Sequence, residues 1–137
     1  MGHFYGIDEA NEQLVEVRPL LERLAAQRLD LIRLRDRAVT AGSGPSSTAD
    51  DTGDTDEELR NLRLRMQGII DQMQAAVTRI DALDIVLRDI ETGLIDFPAL
   101  VAGRQVWLCW RLGEDEVAWW HDLSSGFAAR RPFSELT

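Results

Sequence analysis

The chain has 137 residues, of which 45% are hydrophobic and 28% charged, an ordinary globular composition with enough apolar residues to bury a core. The net charge is −9 and all fifteen basic residues are arginine, so the overall field repels phosphate backbones and speaks against nucleic acid as a partner. The single cysteine excludes an internal disulfide and fits a reducing cytosol. No apolar run approaches a membrane span. The opening MGHFYGIDEANEQL lacks the basic start and apolar run of a secretory signal. The expectation is a soluble, cytoplasmic protein with no membrane partner, built as one domain over residues 1–137.

Residues 7–39 carry a helical pattern. Ile7, Ala10, Leu14, Val17, Leu21 and Leu24 alternate by three and four, and Asp8 and Glu9 sit where the helix dipole favours negative charge. Pro19 removes a backbone donor and is expected to kink or divide the helix near Val17 and Arg18. Beyond it the apolar stripe broadens over Leu24, Ala25, Leu31, Ile32, Ala38 and Val39, with Arg28 and Arg35 at its edge.

Residues 40–54, TAGSGPSSTADDTGD, lack apolar periodicity and predict a flexible linker. A second helix over 55–84 follows. Thr55 and Glu58 have capping-box spacing, and Leu59, Leu62, Met66, Ile69, Met73, Ala76, Ile80 and Leu83 form an unbroken seam. Two such helices predict a long antiparallel hairpin whose seam either closes internally or mediates dimerisation.

After Asp84 the period changes. IVLRDI, LIDFPAL, RQVWLCWRL and EVAWWHDL are short β-prone runs separated by turn chemistry, which predicts a four-stranded antiparallel meander over 85–123 and a tail over 124–137. Pro98 suits a strand edge or end. The fold class is therefore α+β: a long antiparallel helical hairpin followed by a small four-stranded antiparallel β-meander.

The stretch LCWRLGEDEVAWWHD concentrates the reactive and aromatic residues. A two-residue turn at Glu114-Asp115 pairs Trp110 with Trp119, Leu108 with His121 and Cys109 with Trp120. Val106, Leu108, Trp110, Trp119 and His121 then share one face, and Trp107, Cys109, Arg111, Trp120 and Asp122 the other. In that register Cys109 and His121 cannot form a nucleophile–base pair. A one-residue change of register would bring them together.

The catalytic candidates are Cys109 and His121 with Asp122, Glu114 or Asp96 as the carboxylate, the set for a small hydrolase or thiol-dependent enzyme. Adjacent strand residues point apart, so His121 and Asp122 are not expected to pair through their side chains. A cysteine between Leu108 and Trp110 reads first as a small buried hydrophobe, and a histidine at a strand end first as a structural one. His121, Cys109, Asp122, Glu114 and His3 have donor chemistry, but CxxC, HxxxH and HExxH spacings are absent, so no metal and no cofactor is assigned and a metal-binding protein is the weaker alternative.

Tryptophan falls on both faces of the hairpin. Trp107, Trp110, Trp119 and Trp120, with Arg104, Arg111, Arg130 and Arg131 around them, are the binding candidates. They predict an aromatic sheet face for a homodimer partner, another protein or a small anionic ligand. A non-enzymatic binding or interaction module is thus the leading expectation.

FYGIDEANEQLVEVRPLLERL, GLIDFPAL and GRQVWLCWRLGEDEVAWWHDLSSGFAARRPF, with the run GR, CW, LGE, WHD, GF, R, resemble an uncharacterised bacterial family, domain of unknown function 2203. The resemblance spans nearly the whole chain except the linker, which looks like an insertion between the helices. It implies a small cytosolic protein and supplies no catalytic residues to carry over.

Overall fold

The computed structural model describes residues 2–43 and 52–136. Two helices, α1 (Ile7–Ser43) and α2 (Thr52–Ala82), precede five strands: β1 (Val86–Asp89), β2 (Leu94–Val101), β3 (Arg104–Arg111), β4 (Trp119–Asp122) and β5 (Arg131–Pro132). The strands form one antiparallel sheet in chain order. The α+β class holds, with one strand more than expected. The extra strand is the two-residue β5 from the predicted tail, too short to leave an alternating pattern. The described part of the predicted linker is helical: α1 runs on to Ser43 and α2 already begins at Thr52, so the backbone of Thr55 lies inside α2 and not at its start. Residues 44–51 of that linker lie outside the described residues.

The chain divides into two compact units. The first comprises residues 2–25 and 76–136. Here α1 starts from Gly6, whose carbonyl accepts from Ala10 N–H and whose own N–H donates to Glu9 Oε1 at 3.3 Å, half of a capping box. Pro19 lies within a continuous helix and does not divide it. Ala10, Leu14, Val17, Leu21 and Leu24 are buried as their spacing predicts, whereas Ile7, at the first turn, is exposed. These side chains share a core with Ile80 of α2 and with Ile95, Phe97, Ala99, Val106, Leu108 and Trp110 from one sheet face.

Polar contacts fix how α1 meets that face. Asn11 Oδ1 accepts from Val117 N–H at 2.7 Å, Arg18 donates to the Asp115 carbonyl at 3.1 Å, and the Arg18 guanidinium lies 5.4 Å from the Trp110 ring centre. The Glu16 and Arg79 side chains pair at 2.8 Å across the two helices. That ion pair holds the Glu16 carboxyl below its usual range.

Pro98 sits inside β2, not at its end. The sheet accommodates it because β1 pairs only with residues 94–96, so no ladder donor is required of Pro98 on that side. Its carbonyl accepts instead from Tyr5 N–H at 2.7 Å.

The second unit comprises, among the described residues, 26–43 of α1 and 52–75 of α2. Gln27 donates to Gln72 at 2.9 Å, consistent with antiparallel helices. Among its described side chains only Leu34 and Leu62 are buried apolar residues. Leu31, Ile32, Leu59, Met66, Ile69, Ile70 and Met73 remain half-buried.

Candidate functional site

The site is decided by the register of β3 against β4. Trp107 pairs with His121, Leu108 with Trp120 and Cys109 with Trp119. This corrects the tight-hairpin expectation by one residue. Residues 112–118 form a longer connection whose polar groups are committed elsewhere. Glu114 Oε1 accepts from Arg111 N–H at 2.8 Å, the Glu114 carbonyl accepts from Trp110 Nε1 at 3.2 Å, and Val117 N–H is taken by Asn11 of α1.

A one-residue change carries all of β4 to the opposite face. Trp120 and Asp122 join Leu108 and Trp110 on the face toward α1. Trp119 and His121 join Trp107 and Cys109 on the other face. On β2, Asp96 is the direct partner of Cys109. Three strands thus bring Asp96, Cys109 and His121 together, with one donor atom from each lying within 4.8 Å of the others. Asp96 and His121 are 2% exposed and Cys109 is 0% exposed.

The hydrogen bonds define this cluster closely. His121 Nδ1 lies 2.9 Å from the backbone carbonyl of Asp122, an acceptor only, so Nδ1 carries a proton. His121 Nε2 faces Asp96 Oδ2 at 3.0 Å. Arg88 Nε donates to the same Oδ2 at 2.9 Å. The other carboxylate oxygen, Asp96 Oδ1, is buried without a hydrogen-bond partner. Burial pushes the Cys109 thiol up to about 12; the Asp96 charge raises it further and the nearby Arg130 opposes the rise.

Among the described residues, neither α1 nor α2 has a polar or ring contact with this second face. Arginine stems, aromatic rings and the chain's own C-terminal segment cover it in part. The Arg88 guanidinium lies 5.0 Å from the Trp107 ring centre. That of Arg130 lies 4.7 Å from Trp119 and 4.2 Å from Phe127, and Arg111 stacks on Phe127 at 4.9 Å. Arg130 also grips Glu114 through both terminal nitrogens, at 3.0 and 2.6 Å, and places Nη1 4.0 Å from Cys109 Sγ. The second face is therefore covered in part by the chain itself, with Trp107 and Trp119 half-buried there; on the face toward α1, Trp110 and Trp120 are buried and Arg104 and Arg131 both lie over Trp120.

The remaining candidates separate from the cluster. Asp122 points to the opposite face, where Arg104 and Arg131 lie 3.6 and 3.8 Å from its oxygens; only its carbonyl serves His121. Glu114 belongs to the Arg130 clamp. His3 is exposed and pairs with Glu9. A groove of about 530 Å³ lined by Asp8, Asn11, Arg18, Asp115 and Glu116 lies beside α1, away from the cluster.

Sequence reasoning missed Arg88 and Phe127. Arg88 lies at the register irregularity between Leu87 and Asp89 in β1, which breaks the alternation that would have placed it. Phe127 lies in a short 3₁₀ turn with no period at all.

The arrangement is poorly suited to thiol catalysis. A fully buried thiol with a raised pKa offers almost no thiolate, and neither nitrogen of His121 is free to serve it as base. Its donor set of carboxylate, sulfur and imidazole is instead that of a transition-metal ligand group.

Among the described residues no helix is long and apolar enough to cross a membrane. Neither the curated proteins nor the solved structures contain a match to this chain. The model of one family, described as an uncharacterized conserved protein, matches residues 3–133, and the chain therefore belongs to that family, DUF2203.

Proposed function

We propose that this protein is a non-enzymatic binding module that self-associates through the helical segments of its second unit, residues 26–43 and 52–75. The observation that carries this reading is the half-buried seam of that unit. Met66, Ile69, Ile70 and Met73 follow helical spacing on α2, with Leu31 and Ile32 on α1, and none of them is buried. Two helices alone cannot enclose such a stripe; bundles close it with further helices.

The occupant is a second copy of the chain. The described part of α1 in this unit, residues 26–41, carries four arginines against two aspartates, whereas residues 56–75 of α2 carry four acids against three arginines. A two-fold pairing that sets α1 of one copy against α2 of the other brings opposite net charges together. Gln27 adds a polar pin. It is buried with Oε1 unpartnered, and a buried amide in a coiled-coil seam sets register at some cost in stability.

The arginine and tryptophan face is the weaker candidate for this role, since the chain covers it in part. Light scattering after size-exclusion chromatography tests the proposal. The native chain is expected to have twice its formula mass at micromolar concentration, and the double variant Ile69→Glu, Ile70→Glu to have the formula mass with helical content retained. A monomeric native chain, or a double variant that stays dimeric, overturns it.

A further inference from the structure

We propose that Asp96, Cys109 and His121 form a binding site for one divalent transition-metal ion of the zinc, cobalt(II) or iron(II) class, with the protein supplying three ligands. Each residue offers a different donor, and one atom from each lies within 4.8 Å of the others. Donors around a tetrahedral ion with bonds of about 2.0–2.3 Å stand roughly 3.3–3.8 Å apart, so small side-chain rotations complete the set. Sulfur and imidazole nitrogen select these ions over calcium and magnesium, which take oxygen.

Two features point to a ligand beyond the cluster itself. Asp96 Oδ1 is buried and finds no hydrogen-bond partner among the described residues, although Asp96 Oδ2 pairs with both Arg88 and His121. An orphaned anionic oxygen in a dry site is destabilising unless a cation takes it. The second feature is the orientation of His121. Its Nδ1 proton is fixed on the Asp122 carbonyl, so Nε2, which faces Asp96, is the ring nitrogen left to ligate an ion. Ligating histidines are held in this way, through the far nitrogen on a backbone carbonyl.

The charges balance. Thiolate and carboxylate together neutralise the divalent ion. On binding, the Cys109 S–H bond breaks and the proton shared by His121 Nε2 and Asp96 Oδ2 leaves, sulfur–metal and nitrogen–metal bonds form, and both protons pass to solvent. Arg130 does not repel the ion strongly, because Glu114 neutralises it; its Nη1, 4.0 Å from Sγ, is placed to donate to the thiolate. Arg88 remains on Asp96 Oδ2 and leaves Oδ1 for the metal. The burial that excludes bulky substrates also slows ion entry, so loading is coupled to folding.

The test uses the full chain without an affinity tag, refolded from urea under reducing conditions with and without cobalt(II) chloride. The expected result is one cobalt per chain, a thiolate-to-cobalt charge-transfer band in the near ultraviolet, and displacement of that spectrum by zinc. Cys109→Ala should remove the charge-transfer band, and Asp96→Asn should weaken cobalt binding by at least about 10-fold. Absence of the band in the native chain, or its persistence in Cys109→Ala, overturns the site. Should these variants fail to fold, alkylation of the native chain in mild denaturant decides. One equivalent of zinc is expected to protect Cys109, and unprotected labelling overturns the proposal. The mass of the chain with and without chelator reads self-association separately, so either proposal can fail without the other.

Discussion

Cys109 makes stability depend on alkaline pH in a way that can be worked out in advance. In the folded chain its thiol is pushed from 9.0 up to about 12, mainly by burial and secondarily by the Asp96 carboxylate. Below pH 9 the thiol is protonated in both folded and unfolded chains, and its contribution is fully present. Above pH 9 the unfolded chain gives up the proton and the folded chain does not, so stability falls as pH rises through the window from 9 to 12. The slope is about 1.4 kcal/mol per pH unit, or about 2 kcal/mol between pH 9 and about 10.5. Urea unfolding of the native chain and of Cys109→Ala, with chelator and reductant present, measures the effect. Groups common to both chains, including the Tyr5 hydroxyl that burial also raises, cancel in the difference. The stability gap between the two chains should shift by about 2 kcal/mol over that window, to the disadvantage of the native chain. Thiol reagents at about pH 8 should find roughly 1,000-fold less thiolate in the folded chain than in the unfolded one. A pH-independent gap, or native labelling as fast as that of the unfolded chain, would refute a sealed, protonated thiol.

Gly93 has a positive φ of 65°, and a β-carbon there would lie 2.5 Å from Leu112 Cδ1 and close to the rest of that side chain. Gly93→Ala is expected to cost about 2–3 kcal/mol from strain and displacement of Leu112, measured as a shift in the urea midpoint. Asn11→Ala removes the only hydrogen bond described for the Val117 N–H, and Val117 is 2% exposed. A loss of about 1–3 kcal/mol is expected, with faster amide exchange at Val117; unchanged exchange would show that Asn11 does not hold the β3–β4 connection.

The helices were legible because periodicity is local. Ala10, Leu14, Val17, Leu21 and Leu24 are buried where three-four spacing puts them. The ends were less legible. Glycine, serine and aspartate made 40–43 and 52–54 read as linker, although the backbone there is helical. The strands were legible as short β-prone runs, but not their register. Register depended on the β3–β4 connection, and Asn11, more than a hundred residues away, is one of the groups that hold it. No local pattern encodes that bond. The same distance explains the roof over the second face. Arg88 and Arg130 were visible as arginines, but the rings on which they stack come from other elements.

The second sheet face costs the fold stability that an apolar face would not. The face toward α1 already buries Phe97, Leu108 and Trp110. The opposite face buries an aspartate, a histidine and a cysteine under paired arginines, and a buried ion pair is often less stabilising than well-packed hydrophobic residues of similar volume. If packing were its whole purpose, replacing Asp96 and His121 together with apolar residues should be tolerated, since the buried pair leaves at once and the Arg88 guanidinium released from Asp96 is 42% exposed and can turn to solvent. If the cluster holds an ion, that same double substitution should preserve the fold and abolish metal-dependent stabilisation. The separation is possible because Arg130 is paired with Glu114 and does not depend on Asp96 or His121 for a counter-charge.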